Sequence, residues 1–375
     1  MFAHLVGVFG FVAGTRPVGG NSGAFRGDYA APVPEFRQGL AKLAQLGAAV
    51  VLLVCMVGVQ SAKGIAAHGL PAMTPPSASE RRGDAEYLYR IIGKVRFLFF
   101  WLGADDVGGA RIAWRGDDRD RAVSLLIGSE PQRAPRKVNE WGYVREGMAG
   151  DFTTTFGIRT VTDGDSPDEA EARRRQAGGL AEFGVICSTV SPVEATSQTT
   201  SIYVPRDATY RQIDRVLAVL EGNARWKERR TPRPSEAAPG FLTALDRLMW
   251  SSATARGAPG SIPEVSRLSY VYKDAVYDLT ARRVERLSQL RTRSGVLRNL
   301  LRTEFSVRNR TTGWTTDFRV TYGTEGPLAG VPVHAQYQPN WWFRVELELD
   351  EGADVPPDPS SEASILQRIE TLCQR

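Results

Sequence analysis

Residues 343–349, Phe-Arg-Val-Glu-Leu-Glu-Leu, carry a large apolar side chain at every second position and a charged one in between. Residues 318–322, Phe-Arg-Val-Thr-Tyr, and 304–308, Glu-Phe-Ser-Val-Arg, show a similar alternation. Since neighbouring side chains of a β-strand point to opposite faces, this pattern predicts strands with one buried and one solvated face, as in antiparallel sheets. We therefore expect an α+β fold built on a large antiparallel β-sheet, which could curve into a half-barrel and carry inserted helices.

A second stretch, 94–102 (Lys-Val-Arg-Phe-Leu-Phe-Phe-Trp-Leu), becomes apolar on both faces along its length. Turn-forming residues follow at 104–109 and a regular alternation at 111–115. We therefore predict a hairpin whose turn lies at 104–109. The adjacent Asp105 and Asp106 are interpreted as residues of that turn rather than as a carboxylate pair for acid–base chemistry.

Helical signals interrupt the strands. Capping residues and apolar stripes predict helices at 166–176, 207–222 and 240–255, and a short helix at the C-terminus. The charged, proline-containing residues 226–238 are predicted to form a break without regular structure.

The chain divides by composition into four segments. Residues 84–350 form the predicted β-rich domain, preceded by a linker at 63–83 and followed by a linker and helix at 351–375. Residues 1–62 form an N-terminal extension that contains an apolar run. A content of 42% apolar and 24% charged residues is typical of a folded globular protein. The 47 basic residues exceed the 42 acidic ones only slightly, so we expect no nucleic-acid partner.

The apolar run covers residues 46–59, with Arg37 and Lys42 before it and small residues after it. This order is that of a secretory signal peptide, and a transmembrane helix would need ~20 apolar residues. We predict an exported, periplasmic protein whose membrane contact is confined to this run; the alternative is an uncleaved helix that anchors the chain. Because a signal peptide normally begins at the N-terminus, we expect the true translation start to follow residues 1–36.

Histidine is scarce, and His334 is the one histidine inside the predicted domain. No G-x-S-x-G, H-E-x-x-H, C-x-x-C, P-loop or dinucleotide-binding motif is present in the sequence. We therefore expect no metal, no cofactor and no enzymatic activity. The rival hypothesis is a hydrolase that uses His334 together with a nearby carboxylate.

Two cysteines, Cys187 and Cys373, remain after the predicted cleavage. Export would permit a disulfide between them, but their separation in the sequence does not indicate one. We expect two separate thiols.

Aromatic residues are concentrated in two places. The first contains Phe97, Phe99, Trp101 and Trp114, and the second contains Trp341 and Trp342. These side chains could pack as the core of a large sheet, or they could line an apolar cavity with Trp341 or Trp342 at its mouth. The leading hypothesis is a module that binds an apolar small molecule or a cell-envelope protein, and a scaffold without a cavity is the third possibility.

Several segments carry a resemblance to known proteins. Residues 94–101, 108–112, 126–131, 134–142 and 337–343 resemble a family of uncharacterised exported bacterial proteins with a domain of unknown function, over most of 85–350. The resemblance implies export and assigns no catalytic residue. The long amphipathic strands with inserted helices also resemble, in architecture alone, periplasmic half-barrels that carry lipids or lipoproteins.

Overall fold

A computed structural model of the chain describes residues 84–97, 100–116, 121–134, 137, 139–149, 152–161, 179–223, 225–234, 237–238, 240–254, 266–341, 343–359 and 362–374. The predicted N-terminal extension, signal and first linker, and the helix predicted at 166–176, lie outside the described residues.

The described strands form a single open sheet of 15 strands. Its order is β8-β7-β6-β5-β4-β3-β2-β1-β15-β14-β13-β12-β11-β10-β9, and every pair is antiparallel except β9 with β10. The predicted α+β class with a large antiparallel sheet is thus confirmed. The strands are β1 Ala85–Phe97, β2 Phe100–Arg115, β3 Ala122–Ser129, β4 Trp141–Ala149, β5 Phe152–Thr160, β6 Leu180–Val190, β7 Glu194–Pro205, β8 Lys227–Pro232, β9 Ala237–Ala238, β10 Arg267–Tyr272, β11 Ala275–Thr292, β12 Gly295–Asn309, β13 Thr315–Gly323, β14 Pro332–Asn340 and β15 Phe343–Leu349.

Three α-helices accompany the sheet in the described residues. They are α1 Ile213–Asn223, which follows the 3-10 turn Tyr210–Gln212, α2 Phe241–Thr254 and α3 Ala363–Gln374. In this part of the chain no helix is both long and apolar enough to cross a membrane.

The sheet wraps around α2, and the apolar residues between them form the inner core. Phe241 of α2 packs its ring 5.6 Å from Tyr270 on β10 and 6.0 Å from Phe318 on β13. The same cluster extends to Ile186 on β6. Because strands so distant in the sheet order surround one helix, the sheet must curve strongly.

The two ends of the sheet approach each other. On the strand β7, the Ser197 hydroxyl donates to the carbonyl of Lys273, between β10 and β11, over 2.6 Å. Arg229 of β8 pairs with Asp274 in the same turn. Arg233, just after β8, donates to the carbonyls of Ser191 (2.8 Å) and Ala237, the first residue of β9. The sheet is therefore open, because its two ends are not paired as neighbouring strands. Side-chain hydrogen bonds and an ion pair connect the two ends instead.

The opposite face of strands β3–β7 carries an outer core, formed by apolar residues packed against α1 and α3. Ile365, Ile369 and Leu372 of α3 are buried there. This packing brings Cys373 to Cys187 of β6, and the two form a disulfide with a Cα–Cα distance of 5.2 Å. The expectation of two separate thiols is therefore wrong, because the docking of α3, which the sequence does not specify, decides the pairing.

The predicted hairpin turn at 104–109 is also wrong. Strand β2 runs through these residues without a break, and Phe97 pairs with Phe100 instead. The register between β1 and β2 is irregular opposite Ile91 and Gly93, and Asp106 there has a φ of 57°. The Asp-rich and Gly-rich sequence accommodates a bulge within a strand rather than a turn.

Two further strands differ from the sequence prediction. β4 was not predicted, and β8 lies in the predicted break at 226–238. Residues Lys227–Arg230 of β8 are exposed on both faces. Because the residues of this edge strand are exposed on both faces, apolar and polar residues do not alternate along it. The strand therefore cannot be predicted from the sequence pattern.

Candidate functional site

The interior offers little room for a ligand. A cavity between α2 and the sheet, with Trp114, Leu245 and Met249 in its wall, leaves about 30 Å³ for the centre of a water-sized sphere. A single water needs roughly 10–15 Å³ by this measure, and a cavity that binds benzene has roughly 150 Å³. This cavity therefore has space for one or two waters and none for an acyl chain.

Trp114 belongs to this packed interior. Its side chain is buried, its Nε1 donates to Asp246 Oδ1 over 3.1 Å, and its ring meets Tyr87 edge-on at 5.9 Å. Trp114 is therefore a core residue, as one of the two interpretations predicted. Only the other residues of the first aromatic group could form a surface.

The remaining aromatics lie at the ends of two adjacent hairpins. β1 and β2 pair as far as Phe97 with Phe100. On its other side β1 pairs with β15, with Val95 opposite Phe343. Trp341, which directly follows β14, therefore lies beside the end of the β1–β2 pair at Phe97 and Phe100. We call residues Val95, Phe100, Leu102 and Trp341, at these strand ends, the paired tips.

The paired tips expose large apolar side chains. Exposure is 41% for Val95, 53% for Phe100, 52% for Leu102 and 68% for Trp341. They are four of the ten exposed large hydrophobic residues in the described chain, so the exposed apolar surface is concentrated here. Isolated exposed apolar residues need no explanation, but a contiguous group marks an interaction site.

Sheet geometry explains this exposure. Val95 lies on the same face as Phe343, which is 3% exposed in the inner core. Strand β3 pairs with β2 only from Gly108 onward, so the first eight residues of β2 have β1 as their one neighbour in the sheet. The apolar face of the sheet thus continues past the end of the core into solvent.

The opposite face of the same strands is cationic. The guanidinium of Arg344 lies 4.6 Å from the ring centre of Trp101, a cation–π contact that half-buries both side chains. Arg344 Nε and Lys94 Nζ contact the Glu346 carboxylate at 2.7 and 2.6 Å. Arg96, which lies between Val95 and Phe97 on β1, is exposed.

Glu346 is held ionised by these neighbours. Burial alone would raise the pKa of Glu346, but hydrogen bonds from His334 and Lys94 and the charge of Arg344 lower it to about 2. His334 Nε2 lies 3.4 Å from Glu346 Oε2. The structure therefore brings the candidate histidine next to a carboxylate, and in the described part of the chain Glu346 is the hydrogen-bond partner found for its ring.

A second ionic cluster fastens the long β11–β12 hairpin to the sheet. The backbone N–H of Arg293, in the turn of this hairpin, donates to Glu348 Oε1 over 2.8 Å, and its guanidinium lies 3.0 Å from Asp106. Arg90 contacts the same Glu348 oxygen at 2.7 Å. These groups have a structural role, and among the described residues no group of three or more potential ligands could hold a metal ion.

The predicted site residues thus separate into three groups. Trp114 lies in the core, Trp101 and Trp341 lie on or beside the paired tips, and Phe99 and Trp342 lie outside the described residues, as does the side chain of Phe97. The sequence analysis did not single out Lys94, Arg96 and Arg344. A signal was present, because cations occur within a few residues of both aromatic runs.

No family model, curated protein or solved structure matches the chain.

Proposed function

We propose that this protein is exported and that it is a non-enzymatic module that attaches to the surface of a lipid bilayer by inserting the paired tips. The observation that carries the proposal is the exposure of Phe100 and Leu102 at the start of β2 and of Trp341 just after β14. Tryptophan and other amphipathic aromatics favour the boundary between headgroups and acyl chains. The sequence predicts membrane contact only through residues 46–59. We propose the paired tips as a second region of membrane contact.

The apolar area gives a reversible attachment. Complete burial of a large apolar side chain contributes roughly 1.5–3 kcal/mol, and the four tip residues are about half exposed, so their insertion supplies on the order of 3–6 kcal/mol. This corresponds to dissociation constants between roughly millimolar and tens of micromolar. Such affinity suits a protein that visits a membrane rather than one that resides in it.

Two observations support the surrounding proposal of export. The disulfide between Cys187 and Cys373 suits an oxidising compartment such as the periplasm. The apolar run at 46–59 has the composition of a signal peptide. An enclosed apolar ligand is less well supported, because the cavity near Trp114 holds about 30 Å³.

The test is co-sedimentation of the periplasmically purified protein with phosphatidylcholine vesicles. Phe100→Asp is expected to reduce the bound fraction roughly tenfold, because it removes apolar area and places a charge at the insertion point. Phe152→Asp is the matched control, since Phe152 is also 53% exposed but lies on β5, away from the paired tips. Equal binding by the two variants would refute the proposal.

The hydrolase hypothesis retains one supporting contact, that between His334 and Glu346. A histidine–carboxylate pair orients a general base, but the reaction also needs a nucleophile or an activated water. Its test is the turnover of ester and amide substrates by His334→Gln, and retained turnover in that variant would remove the hypothesis. The scaffold hypothesis predicts no vesicle binding at all.

A further inference from the structure

We propose that the paired tips select anionic phospholipids through three cations on the opposite face of the same strand ends, Lys94, Arg96 and Arg344, which we call the cation belt. This inference rests on the proposed function and names the lipid class that it recognises.

The position of the cation belt matches the depth of a headgroup layer. Lys94 and Arg96 precede Phe97 by three residues and one residue, and Arg344 follows Trp341 by three. At about 3.3 Å per residue, the belt lies roughly 3–10 Å behind the turns. Interfacial elements bury their apolar face by roughly 5–10 Å. Tips inserted to that depth would place Lys94 and Arg344 among the lipid phosphates. Arg96, which pairs with Trp101 and lies level with the tips, would extend its long side chain back to the same layer.

The belt residues can reach a phosphate without leaving the sheet. Lys94 and Arg344 pair across the β1–β15 register, so both project from the same face. Their side chains are 26% and 20% exposed. Long cationic side chains keep their aliphatic stems on apolar surface while the charged ends extend into the polar layer.

The local charge favours an anion. Among the described residues, Glu346 is the carboxylate that contacts Lys94 and Arg344, so these two cations share one anion. The next carboxylates along β2 are Asp105, which lies 3.8 Å from Arg90, and Asp106, which is paired with Arg293. Glu346 therefore moderates the belt, and removal of its charge should strengthen the attraction for anionic lipid.

Anionic phospholipids such as phosphatidylglycerol meet this chemistry. Each basic residue near an anionic membrane surface is expected to change the affinity roughly fivefold. The attraction should also weaken as salt is added, since these charges lie at an exposed surface.

The experiment compares vesicles of pure phosphatidylcholine with vesicles of equal parts phosphatidylcholine and phosphatidylglycerol. Arg96→Gln and Arg344→Gln are expected to lower binding to the mixed vesicles roughly fivefold each, with little change for pure phosphatidylcholine. Arg230→Gln, on the exposed edge strand β8, removes the same charge elsewhere and should bind as the unaltered protein does. Glu346→Gln is expected to strengthen binding to mixed vesicles.

The outcomes separate this inference from the proposed function. If phosphatidylglycerol gives no increase while Phe100→Asp still abolishes binding to phosphatidylcholine, the tips insert and the cation belt has no selective role. If Arg230→Gln weakens binding as much as Arg96→Gln, total charge is responsible and the belt is again refuted. If neither vesicle binds, both proposals fail. Arg96 is exposed, so its variant tests the belt even if Glu346→Gln does not fold.

Discussion

At the residue scale, two buried carboxylates show how this sheet accommodates charge. Glu146 of β4 accepts hydrogen bonds from the backbone N–H groups of Leu242 (3.0 Å) and Thr243 (2.8 Å), and from the Thr243 hydroxyl (2.7 Å). It thereby satisfies donors in the first turn of α2, which otherwise have no intrahelical partner. Burial raises the pKa of Glu146, and these hydrogen bonds oppose the rise. A strand residue thus fixes the position of the central helix.

Asp278 of β11 is the second such carboxylate, and it gives a prediction on pH. Burial would raise its pKa, but hydrogen bonds from Arg310, Arg267 and Ser269 lower the pKa from 3.8 to about 2. Because the folded-state pKa is depressed, the stabilisation is complete above the ordinary pKa and is lost as the pH falls towards 2. The loss amounts to about 2 kcal/mol.

Urea unfolding between pH 6 and pH 2.5 measures this contribution. Asp278→Asn should be less stable at pH 6 and should show a smaller fall in stability over this range than the unaltered protein. Asp317→Asn is the control, since Asp317 pairs with Arg282 on the exposed surface, where an ion pair contributes little. Parallel stability curves for the unaltered protein and Asp278→Asn would contradict the prediction.

At the scale of elements, hairpins that extend past their neighbours produce the surface features of this molecule. The end of β1–β2 lacks a neighbour on the β2 side and exposes apolar residues. The end of β11–β12 is instead fastened back onto the sheet through Arg293. The two hairpin ends therefore differ in their surroundings, and the end of β1–β2, with its exposed apolar residues, is the candidate site.

The docking of α3 gives a prediction at this scale. The disulfide between Cys187 and Cys373 joins residues 186 positions apart, so it removes much freedom from the unfolded chain. Replacing both cysteines by Ala should lower the free energy of unfolding by roughly 2–5 kcal/mol. Denaturant unfolding measures the change.

Intact-mass measurement supplies the control for this experiment. The unreduced protein should be two hydrogens lighter than the reduced protein, and reduction should lower its stability to that of the double variant. A free-thiol mass for the protein purified from an oxidising compartment would contradict the pairing.

At the scale of the whole molecule, the curvature of the sheet decides what the protein can hold. A sheet that wraps around α2 fills its own concave side with Phe241, Leu245 and Leu248. The helix occupies the volume that a ligand would take in an open half-barrel. The cavity that remains beside α2 is therefore too small for such a ligand.

Native mass spectrometry tests the filled interior. The protein purified without detergent should appear at its bare polypeptide mass, because about 30 Å³ near Trp114 admits no lipid. The denatured mass of the same sample is the reference. A lipid-sized adduct that survives Phe100→Asp would show an interior site and contradict this prediction.

The fold class and several of the strands can be predicted from the amino-acid pattern alone. The alternation in 318–322 and 343–349 requires one buried and one solvated face, because strand side chains point alternately to opposite sides. Helices α1 and α2 overlap the predicted ranges 207–222 and 240–255, since their apolar stripes have the helical period. Local periodicity is a property of neighbouring residues, and it can be recognised without knowledge of distant contacts.

The remaining features depend on contacts between residues that are distant in the sequence. The pairing of β8, the disulfide between Cys187 and Cys373, and the contact between His334 and Glu346 all join residues that periodicity does not relate. Likewise, the aromatic residues at 97–101 suit a core as well as a surface. Trp114 became core because β3 and α2 cover it, whereas Phe100 stayed exposed because no strand lies beyond β2 at that level. Whether an apolar residue is buried depends on the strands and helices that pack against it. A local sequence pattern does not specify those neighbours.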